Sequence, residues 1–132
     1  MTTDMLVQQA IAAMERAYAP YSGYKVGAAL LCKDGTVYQG CNIENASYTP
    51  TICAERTAFS KAVSEGQREF SAIAICGGKD GVISGLFPPC GVCRQVMREF
   101  CDPDFQVYMI SSQAGDFETR TLAQLLPDSF SL

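Results

Sequence analysis

The 132-residue chain is 48% hydrophobic and 18% charged, with only 11 glycines and 6 prolines, which excludes a disordered or low-complexity polymer. Its 10 basic and 14 acidic residues give a net charge of −4; that composition supplies no basic face for a polynucleotide, and a neutral small molecule is the better-matched partner. Histidine is absent, which excludes imidazole triads and His-Glu-x-x-His metal sites and leaves thiolates to build any zinc centre.

Along the chain, Thr3 and Asp4 can cap a helix whose apolar positions Leu6, Ala10, Ala13, Met14 and Ala17 keep helical spacing, with Pro20 as its stop. Val26 to Cys32 is a continuous apolar run, and Thr36 to Gly40 is a second extended piece. Asp34-Gly35 between them predicts a two-residue type I′ hairpin turn. Asn42 to Pro50 has no period and reads as a loop. Cys53 to Glu65 predicts a helix that Gly66 ends. Ser71 to Cys76 reads as a short buried strand, and the glycine-rich stretch Gly77 to Pro89 as a loop. Pro89 suits the first turn of a helix from about Cys90 to Cys101. Phe105 to Ile110 and Phe117 to Thr121 predict strands, and Leu122 to Leu126 a short helix before Pro127. A hairpin followed by alternating strands and helices predicts an α/β fold in three layers. The expected architecture is an α/β/α sandwich around a mixed, mostly parallel five-stranded sheet with right-handed crossovers. One domain is expected over residues 1–132.

The seven cysteines are odd in number and read as metal ligands and buried thiols, not as a disulfide framework. Met1-Thr2-Thr3-Asp4 lacks the basic region and apolar stretch of a signal peptide. No apolar run approaches the ~20 residues that span a bilayer. A cytoplasmic protein without a membrane partner is expected.

Chemistry concentrates in Cys53-Ala-Glu55 and Pro89-Cys90-Gly-Val-Cys93. Three thiolates can hold one zinc ion and leave its fourth position open, the mark of a catalytic site. Cys90 and Cys93 are one helical turn apart, so their sulfurs face the same way. Helix N-termini at Cys53 and at the Cys90/Cys93 pair would favour the thiolate form. Glu55 is the carboxylate the motif supplies for acid–base work. Three thiolates exceed the charge of one dication, and Arg56 and Arg94, each directly after a ligand segment, are the candidates to offset the excess, Arg56 foremost. A closed four-cysteine structural site is the competing reading, and Cys41 is its one plausible fourth ligand.

These residues resemble the cytidine deaminase family, in its small homotetrameric form with a three-cysteine zinc site. The resemblance spans Tyr18-Ala-Pro-Tyr-Ser22, Val26-Gly-Ala-Ala-Leu30, Gly40-Cys-Asn-Ile-Glu-Asn45, Cys53-Ala-Glu-Arg-Thr-Ala58, Pro89-Cys-Gly-Val-Cys-Arg-Gln95, and Leu125-Leu-Pro127 with Phe130 beyond it. It implies one Zn²⁺ per subunit on Cys53, Cys90 and Cys93, with Glu55 as the catalytic proton carrier. Asn42 and Glu44 then resemble a sugar-reading pair, an amide and a carboxylate two residues apart. Tyr24 stands where the family commonly has Phe. Val26, Ala54, Ala46 and Tyr48 complete the implied substrate pocket, partly across subunits, and Phe130 resembles an aromatic that stacks on the base from a neighbouring chain. The implied partners are cytidine and deoxycytidine and further copies of the same chain in a homotetramer, in pyrimidine salvage.

Two other readings share parts of this pattern. Deamination of a cytosine-bearing antibiotic of the blasticidin S type would use the same zinc chemistry, but Gly40 to Asn45 favours a nucleoside. A non-catalytic zinc-stabilised interaction module would bind the metal and release no ammonia.

Overall fold

Alternation along two central strands assigns each helix its face of the sheet. In the computed structural model, which describes all 132 residues, the strands are β1 (Tyr24–Cys32), β2 (Val37–Cys41), β3 (Phe70–Lys79), β4 (Gln106–Ile110) and β5 (Phe117–Thr121). The helices are α1 (Thr3–Met14), α2 (Ala54–Ser64), α3 (Gly91–Phe100) and the single turn α4 (Leu122–Leu125). Val26, Ala28, Leu30 and Cys32 of β1, with Ile73 and Ile75 of β3, pack against Ala54, Ala58, Phe59 and Ala62 of α2 and Met97 of α3. The intervening Ala29, Ala72, Ala74 and Cys76 face the other way and bury Leu6, Val7, Ala10 and Met14 of α1. Side chains on a strand alternate with period two, so a run apolar at every position must be covered on both sides. The three-layer α/β arrangement expected from the sequence is present.

The sheet order is β2-β1-β3-β4-β5. β3 and β4 are the one parallel pair; β1 with β2, β1 with β3, and β4 with β5 are antiparallel. The sheet is mixed as expected, but the expectation of a mostly parallel one is overturned. Only α3 makes a crossover between adjacent parallel strands; α2 carries the chain from β2 past β1 to β3, which then runs against β1.

Local corrections have identifiable causes. Thr2, not Thr3 or Asp4, caps α1 by accepting from Met5 N at 3.2 Å, and the helix ends at Met14, well short of Pro20. The β1–β2 turn has three residues: Gly35 N donates to Cys32 O at 3.0 Å, and Gly35 alone adopts a left-handed φ, of 92°. A type I turn followed by a left-handed glycine closes this hairpin in place of type I′, which needs two positive φ angles. β3 continues to Lys79 through Gly77 and Gly78, residues expected in a loop. A Cβ on Gly77 would lie 2.9 Å from the Phe87 ring, and one on Gly78 would collide with Val82 O at 1.8 Å. The glycines there let the following segment fold back on the strand. Cys90, not Pro89, is the α3 N-cap, so Pro89 lies outside the first helical turn.

The register brings three strand ends to one edge. Gly27 pairs with Cys41, and Tyr24 and Val26 pair with Lys79 and Gly77. The start of β1 and the ends of β2 and β3 therefore lie together, and α2 and α3 both begin beyond that edge.

Three thiols sit in the core. Burial pushes Cys76 up to about 12 and Cys32 up to about 11, the latter helped by the Asp34 charge. Burial also pushes Cys101 up to about 12, with Asp102 adding to it. The unfolded chain ionises these thiols near their ordinary value of 9.0, while the fold keeps them protonated. The unfolded state thus binds fewer protons above that point, so stability is fully present below about pH 9 and falls as pH rises toward 11–12. Urea midpoints measured at neutral and alkaline pH should show a decline on the order of 1–2 kcal/mol per thiol over the first unit and a half above pH 9. Cys76→Ala should have a measurably flatter alkaline limb; an unchanged slope would contradict the assignment.

Candidate active site

The two helix starts deliver three sulfurs to one point. Cys53 is the N-cap of α2 and Cys90 the N-cap of α3, both in extended backbone, and Cys93 follows within the first turn of α3. Pro88 and Pro89 keep the approach to Cys90 extended, since a residue before proline avoids the helical region. Thr57 Oγ1 ties the first turn of α2 to the end of β2 by donating to Cys41 O at 2.9 Å. Gly40 allows the close approach, because a Cβ there would stand 2.3 Å from Ala54 O.

Cys53 Sγ lies 3.8 Å from Cys90 Sγ, and Cys90 Sγ lies 3.4 Å from Cys93 Sγ. All three sulfurs fall within 4.8 Å of one another, and no other cysteine or acid joins the cluster. Tetrahedral Zn–S bonds of about 2.3 Å set sulfurs about 3.8 Å apart, so the trio fits a zinc ion with modest adjustment. Cys41 instead points its thiol at Arg16 O, 3.4 Å away, and supplies no fourth ligand. The donor set is open.

Hydrogen bonding from Cys93 holds the Cys53 thiol well below its ordinary range, with Arg56 adding to the effect. The same bond and burial push Cys93 up. Zinc must displace that proton, so metal uptake is coupled to proton release. Arg56 Nη2 donates to Cys53 Sγ at 3.5 Å, and its Nε is buried with no partner. The guanidinium therefore keeps an unspent donor in a place where negative charge accumulates. Arg94 turns away: Nε donates to Pro89 O at 2.8 Å and Nη1 to Leu125 O at 2.6 Å. It braces α3 and the C-terminal turn, which corrects its expected role as a thiolate partner.

Glu55 is 4% exposed, the one carboxylate in the core. Burial pushes its carboxyl up to about 7, with the Cys53 charge raising it further. A cavity of about 200 Å³ opens over these groups. Cys53, Glu55 and Cys90 line it together with Tyr24, Val26, Asn42, Glu44 and Ala54. Asn42 is fixed by β1, accepting from Val26 N and donating to Tyr24 O, both at 2.8 Å. Glu44 accepts from Tyr21 N at 2.9 Å, from Ser22 N at 3.1 Å and from Ser22 Oγ. Those bonds, Ser22 Oγ foremost, hold its carboxyl below the usual range.

Ala46, Tyr48 and Phe130 do not line their own chain's cavity. Tyr48 is 78% exposed with φ 61°, and Phe130 is 67% exposed. Ser22, Thr51, Ile52, Phe87 and Pro88 line it without having been singled out. Phe87 fills the space over Gly77 and faces Tyr24 with ring centroids 6.4 Å apart. Its signal was an aromatic in a glycine-rich stretch just ahead of the paired cysteines.

An α/β fold that gathers three thiols at two helix starts, beside a buried carboxylate and a cavity, defines a zinc-dependent hydrolase. The profile of the cytidine and deoxycytidylate deaminase zinc-binding region matches residues 1–109. Cytidine deaminase of Sporosarcina psychrophila is 51% identical over 131 residues, 99% of this chain and 93% of that protein. Cytidine deaminase of Halalkalibacterium halodurans is 52% identical over 130 residues, 98% of this chain and 95% of that protein. The crystal structure of cytidine deaminase from Burkholderia pseudomallei superposes with a TM-score of 0.89 at 48% identity, covering 98% of this chain and all of that one. The chain belongs to the cytidine and deoxycytidylate deaminase family.

Replacing Arg56 by Ala removes the one cation on the thiolates while leaving the three sulfurs in place. Zinc retention against a competing chelator should fall about 10- to 100-fold. Metal analysis after dialysis reads this directly, and unchanged retention would remove Arg56 from the site.

Proposed function

We propose that the protein catalyses hydrolytic deamination of cytidine and 2′-deoxycytidine to uridine and 2′-deoxyuridine, releasing ammonia for pyrimidine salvage in the cytoplasm. The observation that carries this reading is the buried Glu55 in one cavity with Cys53, Cys90, Asn42 and Glu44, with Cys93 directly behind completing the thiol trio. Family membership and relatives named cytidine deaminases support it. Asn42 and Glu44 on the cavity wall favour a sugar-bearing substrate over a cytosine antibiotic.

Cys53, Cys90 and Cys93 would hold the zinc. When bound there, zinc supplies the Lewis acidity that makes a water nucleophilic near neutral pH. Glu55 manages the protons. Burial holds its carboxyl above the usual carboxylate range, the direction that suits a group that must both accept and return a proton. It takes a proton from water and delivers it to N3 as the oxygen bonds to C4. It then passes the proton of the new C4 hydroxyl to the exocyclic nitrogen. The C4–N bond breaks, ammonia leaves, and C4 keeps the oxygen as a carbonyl. Because the remaining N3 proton stays on the product, one carboxyl serves the whole exchange.

Asn42 and Glu44 bind sugar hydroxyls, and Val26 and Ala54 form the apolar wall for the base. Tyr24 packs beside them, its ring under Lys79 Nζ at 5.5 Å. Ala46, Tyr48 and Phe130, exposed on their own chain, complete the cavity of a neighbouring copy in a homotetramer of single-domain subunits spanning residues 1–132. Their exposure, 67% at Phe130 and 78% at Tyr48, leaves them free to meet a neighbouring copy. Light scattering on the purified protein should give four times the 14.3 kDa chain mass; a monomer would overturn the shared-site reading.

Glu55→Gln preserves shape and hydrogen bonding but cannot carry the proton. It should retain zinc at the wild-type level and lose about 10²- to 10⁴-fold in kcat on cytidine. Substantial residual turnover in zinc-replete Glu55→Gln would take Glu55 out of the mechanism.

A further inference from the structure

The Glu44 carboxylate has an unusual arrangement of partners for a group at the mouth of a cavity. An ionised carboxylate offers about four lone-pair sites. Tyr21 N and Ser22 N occupy two on Oε1, and the Ser22 hydroxyl occupies one on Oε2. One acceptor site remains, and it is on the oxygen that Ser22 Oγ holds. The Ser22 hydroxyl is itself oriented: its oxygen accepts from Tyr24 N at 3.0 Å, so its single proton is committed to Glu44. The result is a directed chain, Tyr24 N–H to Ser22 O–H to Glu44, in which each bond polarises the next.

The turn that carries Ser22 is clamped from the opposite side. Lys79 Nζ donates to Ser22 O at 2.7 Å, Asp80 N donates to Gly23 O at 2.7 Å, and Gly23 N donates to Ala19 O at 3.0 Å. Gly23 takes φ 75°, and a Cβ there would meet Lys79 Nζ at 2.8 Å. Residues 19–24 are thereby fixed to the end of β3 and present Ser22 to Glu44 at a set angle. Ser22 also lines the cavity, yet it is exposed and supports no part of the core.

We propose that Ser22 is the positioning residue for sugar recognition: its hydroxyl aims Oε2 of Glu44 so that the one free acceptor site meets a single sugar hydroxyl. This rests on the reading that Glu44 binds the sugar. Glu44 is the group that touches substrate, and Ser22 acts through it. With the Ser22 hydroxyl gone, the carboxylate keeps its two backbone donors on Oε1 but Oε2 turns freely. The cost falls on binding of the sugar, equally in ground and transition states, so KM rises and kcat holds.

The test compares wild type, Ser22→Ala, Ser22→Thr, Glu44→Gln and the Ser22→Ala/Glu44→Gln double variant, all zinc-replete, with cytidine as substrate. Uridine and 2′,3′-dideoxyuridine, which keeps only its 5′-hydroxyl, serve as inhibitors with and without the ring hydroxyls assigned to Glu44. Ser22→Ala should raise KM about tenfold with kcat within about twofold, as expected for losing a hydrogen bond to a charged group. Uridine inhibition should weaken in parallel, and dideoxyuridine inhibition should stay unchanged. Ser22→Thr, which keeps the hydroxyl, should recover wild-type KM, and the double variant should be no worse than Glu44→Gln alone. If Glu44→Gln raises KM but Ser22→Ala does not, or if Ser22→Ala weakens both inhibitors alike, the positioning role is overturned while the sugar reading stands. If Glu44→Gln leaves KM and uridine inhibition unchanged, the sugar reading itself fails and takes the Ser22 role with it.

Discussion

Three thiolates around one divalent cation leave a net negative charge, and the rest of the structure is organised around tolerating it. A site that is already anionic resists losing a further proton, so positive potential must come from the protein. Two sources converge on it. α2 and α3 both start at the sulfurs, placing the positive ends of two helices there. Arg56 adds a fixed cation on Cys53. Neither source exists without the sheet edge at which β2 and β3 both end.

That requirement explains the least ordinary positions in the fold. Gly40 admits the backbone of α2 to within a distance that any side chain would block. Gly77 and Gly78 continue β3 to the same edge and leave room for Phe87 and the segment leading to Cys90. Glu55 gains its raised carboxyl from the packing that seats α2 on the sheet, because burial is the first cause of the shift. The thiol cluster and the buried carboxyl are thus products of one packing event. The far wall of the cavity differs in kind: Asn42 and Glu44 are held by hydrogen bonds to backbone at the start of β1 and in the Tyr21–Ser22 turn.

Much of the centre was legible in the sequence because its information is local. Cys53, Glu55, Cys90 and Cys93 declare themselves by residue type and spacing, and the absence of histidine narrows what they can do. Helix and strand periods placed every element, since uninterrupted apolar strands and amphipathic helices have distinct patterns. What escaped was relational. Strand direction depends on how α2 carries the chain past β1, which no local pattern encodes. Gly77 and Gly78 read as loop because glycine at a close approach looks like glycine in a turn. Arg94, like Arg56, directly follows a ligand segment, yet it binds carbonyls of Pro89 and Leu125. Ser22 and Phe87 were missed as cavity residues for the same reason, as their role depends on partners far along the chain.

Everything proposed for the site depends on the joint action of one zinc ion on Cys53, Cys90 and Cys93 with the Glu55 carboxyl on a cytosine nucleoside. Its most direct test follows ammonia release from cytidine by zinc-loaded protein, by protein stripped with a strong chelator, and by the stripped protein after addition of one zinc equivalent per chain. Turnover is expected when loaded, with its loss on stripping and its return at one equivalent. Ammonia release that persists after complete zinc removal, or full zinc occupancy with no ammonia from cytidine or deoxycytidine, would contradict it.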